Sequence, residues 1–168
     1  MSDPLPIALS VGCPCGIGPE VAVEACESFP EPVVLVGDER QLRTLAAERG
    51  LSLARHQILQ PGPPLAPEDR LPGRPTRASG AAQLLWIDHA LTLVTSGQAR
   101  ALVTGPVSKK VIAGSEVPGA ETFRGHTEYL QQRLGSREVV MAFWSARLST
   151  ALVTTHVPLR EVAAALTP

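Results

Sequence analysis

Four side chains are candidates for chemistry because of where they stand relative to predicted strands and helices. His126 and Thr127 lie in a GHTE string at a predicted helix start, where imidazole, hydroxyl and helix amides suit an anionic group. Lys109 follows a TGP turn at a strand end, where an ammonium group could hold phosphate or carboxylate. His156 follows an apolar run, and neutral imidazole there could bind a divalent metal. The plainer alternatives are a capping Thr127, a solvated Lys109 and a hydrogen-bonded structural His156.

A glycine-rich turn, Gly12–Glu20, carries two of the three cysteines. Glycines let a backbone approach a ligand, and the helix that follows offers free N–H groups to an anion. The spacing is neither G-x-G-x-x-G nor a Walker loop, so a plain tight turn is the alternative. Cys13 and Cys15 could hold a soft metal, but no second ligand pair completes a tetrahedral site. Cys26 is predicted to pack as a small apolar residue.

Short apolar runs alternate with helical patterns along the chain. Strands are predicted at Ile7–Val11, Val33–Val36, Gln57–Leu59, Ala101–Thr104, Val139–Phe143 and Thr150–Thr154. Helices are predicted from Pro19 to Ser28, from an Asp38 cap to Gly50, from a Ser79 cap to Ser96, over Lys109–Ala113, from a Thr127 cap to Gly135, and after Pro158. This alternation predicts an α/β fold with a mainly parallel sheet and helices on both faces. Ligands bind beyond the carboxyl ends of such strands, which draws attention to 12–20, 104–109 and 154–156.

Composition limits the partners and the setting. Six prolines between positions 60 and 80 predict an exposed connection there. A net charge of -1 and 4% aromatic residues argue against nucleic acid and anionic membranes as partners. An odd number of cysteines, an N-terminus with prolines and Asp3 in place of a basic and apolar leader, and no membrane-length apolar run lead us to expect a cytoplasmic protein.

Three strings, in order, carry a resemblance to a known family. They are GCPCGIGPEV at 12–21, ALVTGPVSKKVI at 101–112 with GHTEYL at 125–130, and ALVTTHVPLREV at 151–162. In order and spacing they are similar to the N-terminal half of the 4-hydroxythreonine-4-phosphate dehydrogenase family of pyridoxal phosphate (vitamin B6) biosynthesis. The match departs from the family at Cys13, where an acidic residue is usual, and at Cys15, where a small apolar residue is usual.

The resemblance implies an isocitrate/isopropylmalate dehydrogenase-like fold with an incomplete two-lobed architecture: residues 1–120 as part of the first lobe and 121–168 as the start of the second. It implies a homodimer and an NAD-dependent oxidative decarboxylation of 4-phosphooxy-threonine to 3-amino-2-oxopropyl phosphate. It implies substrate contacts by His126, Thr127 and Lys109, and a divalent metal (Zn, Mg or Co) held by three histidines, of which His156 matches the first. The other two belong to a second half, so we expect this half-chain alone to be inactive. The alternatives are a noncatalytic truncated fragment and a related dehydrogenase of another phosphorylated hydroxy acid.

Overall fold

A computed structural model describes residues 4–166 and divides the chain into two compact units, 1–124 and 125–168. The first unit is built on four strands: β1 Ile7–Ser10, β2 Val33–Val36, β3 Gln57–Leu59 and β4 Ala101–Thr104. They form one sheet in the order β3-β2-β1-β4, and every pairing is parallel. β1 is central, with Ile7 opposite both Val33 and Ala101. The predicted α/β class and parallel sheet are confirmed.

Four helices belong to the first unit: α1 Gly18–Ser28, α2 Glu39–Glu48, α3 Arg77–Thr95 and α4 Lys109–Ala113. α1 and α2 connect strands in one direction across the sheet, whereas α3 leads back from β3 to β4. Because parallel crossovers are right-handed, this reversal puts α3 on the opposite face from α1 and α2. Leu35 of β2, Leu42 of α2 and Trp86 of α3 are buried in the core between these layers.

The helix starts show which capping predictions were right. Asp38 is the N-cap of α2, and its carboxylate accepts a hydrogen bond from the Gln41 amide at 2.8 Å, as predicted. The Ser79 cap is wrong, because Thr76 is the N-cap of α3. The Thr76 hydroxyl accepts from the Ser79 amide, and the Ser79 hydroxyl accepts from the Thr76 amide, which is a reciprocal capping box. α3 therefore begins inside the proline-rich segment 60–80, which also contains a 3-10 helix at Pro67–Arg70.

The second unit contains α5 His126–Leu134, the antiparallel strands β5 Ala142–Phe143 and β6 Thr150–Ala151, a 3-10 helix at Leu159–Glu161 and α6 Val162–Ala165. The predicted strands Val139–Phe143 and Thr150–Thr154 are therefore too long, and they are not part of a parallel sheet. The physical reason is that β5 and β6 pair only with each other within residues 125–166. Gly125 is the one buried residue of that range, so no burial rewards a longer strand.

Within the described residues, none of the helices combines the length and the apolar character that a membrane span requires.

Candidate functional site

The carboxyl ends of β1 and β4 form one edge in which the two backbones touch. Gly12 has a φ of +90°, and a β-carbon at this position would lie 2.3 Å from the Pro106 carbonyl oxygen. A β-carbon on Gly105 would likewise lie 2.3 Å from the Val11 carbonyl oxygen. Only glycine fits at either position, for reasons of space at both and of conformation at Gly12. The Cys13 amide donates to the Pro106 carbonyl at 2.8 Å, which locks the two strand exits together.

A buried glutamine fixes the segment that leads to Lys109. Gln83 of α3 has no solvent exposure, and its amide nitrogen donates to the Ser79 carbonyl at 3.0 Å. Its amide oxygen accepts from the Ser108 backbone N–H at 2.8 Å. Lys109 follows directly as the first residue of α4, with an exposed side chain. The backbone that leads into Lys109 is thus held from the core, while the Lys109 side chain remains exposed.

Sequence reasoning missed Gln83. One signal was available, because a glutamine stands among the apolar residues of AAQLLWI, where an inward-facing polar side chain must find partners. His56 also forms a bridge: its Nδ1 accepts from the Val33 amide at 3.2 Å, and its Nε2 lies 3.0 Å from the Cys26 carbonyl oxygen. These two bonds assign the Nε2–H tautomer and a structural role, tying α1 to the start of β2.

The glycine-rich turn is held from both sides. The Gln41 side chain donates to the Pro14 carbonyl at 2.7 Å, and the Gly73 amide donates to the Cys15 carbonyl at 2.8 Å. The Cys15 thiol donates to the Asp69 carbonyl at 3.0 Å. Burial raises the pKa of the Cys15 thiol above its ordinary value, and a hydrogen bond from Ser79 offsets part of that rise.

Cys26 behaves as predicted, because it is buried in α1 and packs in the apolar core. Burial raises the pKa of its thiol to about 11. Cys13 and Cys15 are also buried, and all three cysteines are free thiols. No group of three histidine, cysteine, aspartate or glutamate side chains suited to a metal occurs within residues 4–166.

His126 and Thr127 lie together on one cleft of the second unit. They are the first two residues of α5, both half-buried, and line a cleft of about 330 Å³. The rest of the cleft is lined by Leu130, Gln131, Leu134, Ser136, Glu138, Val139, Val140 and Met141. The predicted cap is wrong, because Gly125 is the N-cap and Thr127 stands inside the helix. The Thr127 hydroxyl is therefore not committed to the N-cap position of its own helix, which leaves the substrate-contact role as a prediction.

His156 does not stand where the sequence placed it. We expected it directly after a buried strand, but β6 ends at Ala151 and is exposed, so four residues separate that strand from His156. His156 is exposed, has a φ of 59°, and lines neither of the two clefts identified in this unit. The metal-binding role of His156 therefore stays a prediction. With a single matching histidine and no cluster of three ligands in residues 4–166, this chain by itself does not fit a metal site.

Comparison with known proteins places the chain in a family. Residues 29–168 match the family model described as "Pyridoxal phosphate biosynthetic protein PdxA". The chain belongs to this family of vitamin B6 biosynthetic proteins. Its relatives include the 4-hydroxythreonine-4-phosphate dehydrogenases of Acidithiobacillus ferrooxidans, 41% identical over 96% of this chain, and of Chromobacterium violaceum, 39% identical over 96%. The resemblance drawn from the three strings is confirmed.

Solved structures agree with the fold. A Salmonella typhimurium protein assigned provisionally to the same enzyme superposes with a TM-score of 0.78 at 26% identity, covering 96% of this chain and 55% of its own. The Klebsiella pneumoniae 4-hydroxythreonine-4-phosphate dehydrogenase gives the same TM-score at 24% identity, which shows the fold alone. The chain spans about half the length of the curated relatives it matches, 51% in both named cases.

Proposed function

We propose that this chain is the N-terminal half of a 4-hydroxythreonine-4-phosphate dehydrogenase. The activity proposed is the NAD-dependent oxidation and decarboxylation of 4-phosphooxy-threonine to 3-amino-2-oxopropyl phosphate. The observation that carries the proposal is the match to enzymes of that name along 96% of the chain, at 41% identity in one case. The matched length includes the strand-exit edge and the α5 cleft, where ligands of α/β proteins are expected to bind.

Lys109 is proposed to hold an anionic group of the substrate, phosphate or carboxylate. Its ammonium group is exposed at the strand-exit edge, and its backbone is fixed through Ser108 and Gln83. A flexible side chain on an immobile backbone loses less freedom on binding than one on a mobile loop, and so favours affinity. The role predicts that neutralising Lys109 weakens substrate binding more than it slows the chemical step.

His126 and Thr127 are proposed to orient the substrate from the α5 cleft. An imidazole and a hydroxyl offer both donors and acceptors, and they stand side by side at one helix start. Their half-burial keeps water from competing fully for these hydrogen bonds, while the cleft stays open to a small molecule.

The proposed cofactors are NAD and one divalent metal (Zn, Mg or Co). The glycine-rich turn lacks the G-x-G-x-x-G spacing, so no residue of this chain is assigned to the nicotinamide cofactor. His156 is proposed as one metal ligand, with the remaining ligands supplied from outside residues 4–166. A homodimeric enzyme follows as part of the same proposal, and the isolated half-chain is expected to be inactive.

A chimaera tests the proposal. This chain would be joined to the unmatched half of the Acidithiobacillus ferrooxidans relative, and turnover of 4-phosphooxy-threonine with NAD followed by NADH absorbance. We expect the chimaera to turn over and the 168-residue chain alone to show none. His126→Ala should lower kcat/KM by about a hundredfold or more, as loss of a substrate-orienting group does, and Lys109→Ala should mainly raise KM.

His89→Ala is the matched control, because His89 is an exposed histidine whose ring hydrogen-bonds to the Leu85 carbonyl of its own helix. It should leave both kinetic constants unchanged. A chimaera that folds and binds NAD yet oxidises no 4-phosphooxy-threonine, while the parent relative does, would argue against the assignment.

A second candidate is a related dehydrogenase acting on another phosphorylated hydroxy acid. It is favoured by Cys13, which stands where the family usually carries an acidic residue. The same chimaera separates the two candidates, because kcat/KM for 4-phosphooxy-threonine and for four-carbon sugar-acid phosphates can be compared directly.

A further inference from the structure

Cys13 and Cys15 stand two residues apart in the turn at the β1 exit, and the proposed function gives neither a role. The backbone of this turn is fixed by hydrogen bonds along its length. Cys13 N–H donates to Pro106 O at 2.8 Å, Gly16 N–H donates to Cys13 O at 3.1 Å, and Cys15 O accepts from Gly73 N–H at 2.8 Å. Both cysteines therefore stand on a turn whose backbone conformation is set by its surroundings.

The two cysteines lie on the same short turn, and each influences the environment of the other. The Cys13 side chain folds over the turn, since a β-carbon on Gly16 would lie 3.8 Å from the Cys13 sulfur. Burial is the main cause of the raised pKa of the Cys15 thiol, and the proximity of Cys13 adds to it. Cys13 is also the least buried of the three cysteines, at 9% exposure against 4% for Cys15 and 2% for Cys26.

We propose that Cys13 and Cys15 form a redox-sensitive thiol pair that closes to an intrachain disulfide in the presence of a low-molecular-weight disulfide. Cys13, as the more exposed thiol, attacks one sulfur of that reagent, forming a mixed disulfide and releasing one thiol. Cys15 then attacks the Cys13 sulfur, the mixed disulfide breaks, and the second thiol leaves. The protein loses two electrons and two protons, and the reagent disulfide gains both as two thiols.

Closure of this disulfide has a structural consequence. An oxidised Cys15 has no S–H, so its hydrogen bond to the Asp69 carbonyl is lost. The Asp69 carboxylate in turn accepts from the Thr76 hydroxyl at 2.5 Å, and Thr76 is the N-cap of α3. The thiol pair is therefore linked through Asp69 to the start of the longest helix, and oxidation should loosen residues 67–76. This inference is independent of the proposed function.

The experiment treats the reduced, folded 168-residue chain with glutathione disulfide, then alkylates it in denaturant so that every free thiol reacts, and digests it with a protease that cleaves after glutamate. Cleavage at Glu20 and Glu24 separates Cys13 and Cys15 from Cys26. We expect the peptide holding the pair to lose the mass of two hydrogen atoms and to regain it with dithiothreitol, while Cys26 stays alkylatable. Cys26→Ser should give the same result, and Cys13→Ser should not lose this mass.

Amide hydrogen exchange supplies the second measurement. On oxidation, residues 67–76 should exchange about fivefold to tenfold faster, the factor that corresponds to one lost hydrogen bond, while residues 33–36 of β2 stay unchanged. The proposal is overturned if both thiols remain alkylatable in the wild-type chain, or if the disulfide formed includes Cys26. It is equally overturned if the pair closes and exchange at 67–76 does not change.

Discussion

Asp38→Ala tests how much one buried carboxylate contributes at the β2 exit. Asp38 is 2% exposed and accepts three hydrogen bonds: from the Gln41 amide at 2.8 Å, the Leu65 amide at 2.9 Å and the Arg70 guanidinium at 3.2 Å. It thereby caps α2 and also holds the segment that follows β3. Alanine removes both acceptor oxygens, so all three hydrogen bonds are lost while their donors remain.

The size of the effect follows from those three bonds. Loss of an N-cap costs about 1 kcal/mol, and leaving the half-buried Leu65 amide unpaired costs about 1 kcal/mol or more. Arg70 is 14% exposed, so its guanidinium can reach water once Asp38 is removed. Losing this ion pair should therefore cost about 1 kcal/mol, which is less than the loss of a fully buried pair. We expect Asp38→Ala to lower the free energy of unfolding by about 3 kcal/mol. Asp38→Asn should cost about half as much, because its oxygen can still cap α2 while its NH₂ group opposes the Leu65 amide.

Urea unfolding followed by tryptophan fluorescence measures these changes in the free energy of unfolding. The sequence has two tryptophans, and Trp144 is 84% exposed, so a Trp144→Phe background isolates the signal of buried Trp86. Glu39→Ala is the matched control: Glu39 is the adjacent residue, and its carboxylate makes only an exposed ion pair with Arg43. That change should cost at most about 0.5 kcal/mol. The assigned role of this carboxylate is refuted if the free energy of unfolding of Asp38→Ala lies within about 1 kcal/mol of the wild-type value, which is the typical effect of a single mutation.

Three further predictions concern buried positions. Gln83→Leu leaves the Ser108 amide without its acceptor, and should lower the free energy of unfolding by about 1–3 kcal/mol in the same urea assay. Gly105→Ala forces a β-carbon against the backbone oxygen described above and should cost more than 2 kcal/mol, on the scale of strong overpacking; Gly114→Ala, whose nearest contact would be an ordinary 3.4 Å, should cost far less. Cys26 has a folded pKa of about 11 against an ordinary 9.0, so its stabilisation is complete below pH 9 and is lost as the pH rises towards 11; a pH series of urea midpoints should show this loss, of up to about 2 kcal/mol, in the wild type but not in Cys26→Ala.

The first unit could be predicted well because its local signals and its packing agree. β2, β3 and β4 have the predicted bounds, since each short apolar run is bordered by turn residues and meets neighbours in the sheet. The start of α3 was misplaced by three residues, because Thr76 and Ser79 are both good caps and the capping box uses both. Because Thr76 and Ser79 both have side chains suited to an N-cap, the sequence alone does not show which of them is the N-cap residue.

The second unit shows what periodicity cannot supply. Residues 139–143 and 150–154 have the composition of buried strands, but within residues 125–166 nothing covers them, and Val140 and Val153 are 62% and 83% exposed. His156 is exposed as well, because the strand predicted before it ends at Ala151 and is itself exposed. By contrast, His126 and Thr127 are adjacent at the start of α5 and line one cleft together. Their placement there does not depend on which residue caps the helix.

The position of β1 in the sheet has a consequence for how the chain acquires its structure. β1 lies near the N-terminus, yet one of its two neighbours is β4, which begins at Ala101. The central strand is therefore synthesised well before β4, and its second edge stays uncovered until that strand follows. Pairing between such distant segments carries a large loop-closure entropy, so we expect refolding to be slow for a chain of this size and limited by the docking of β4.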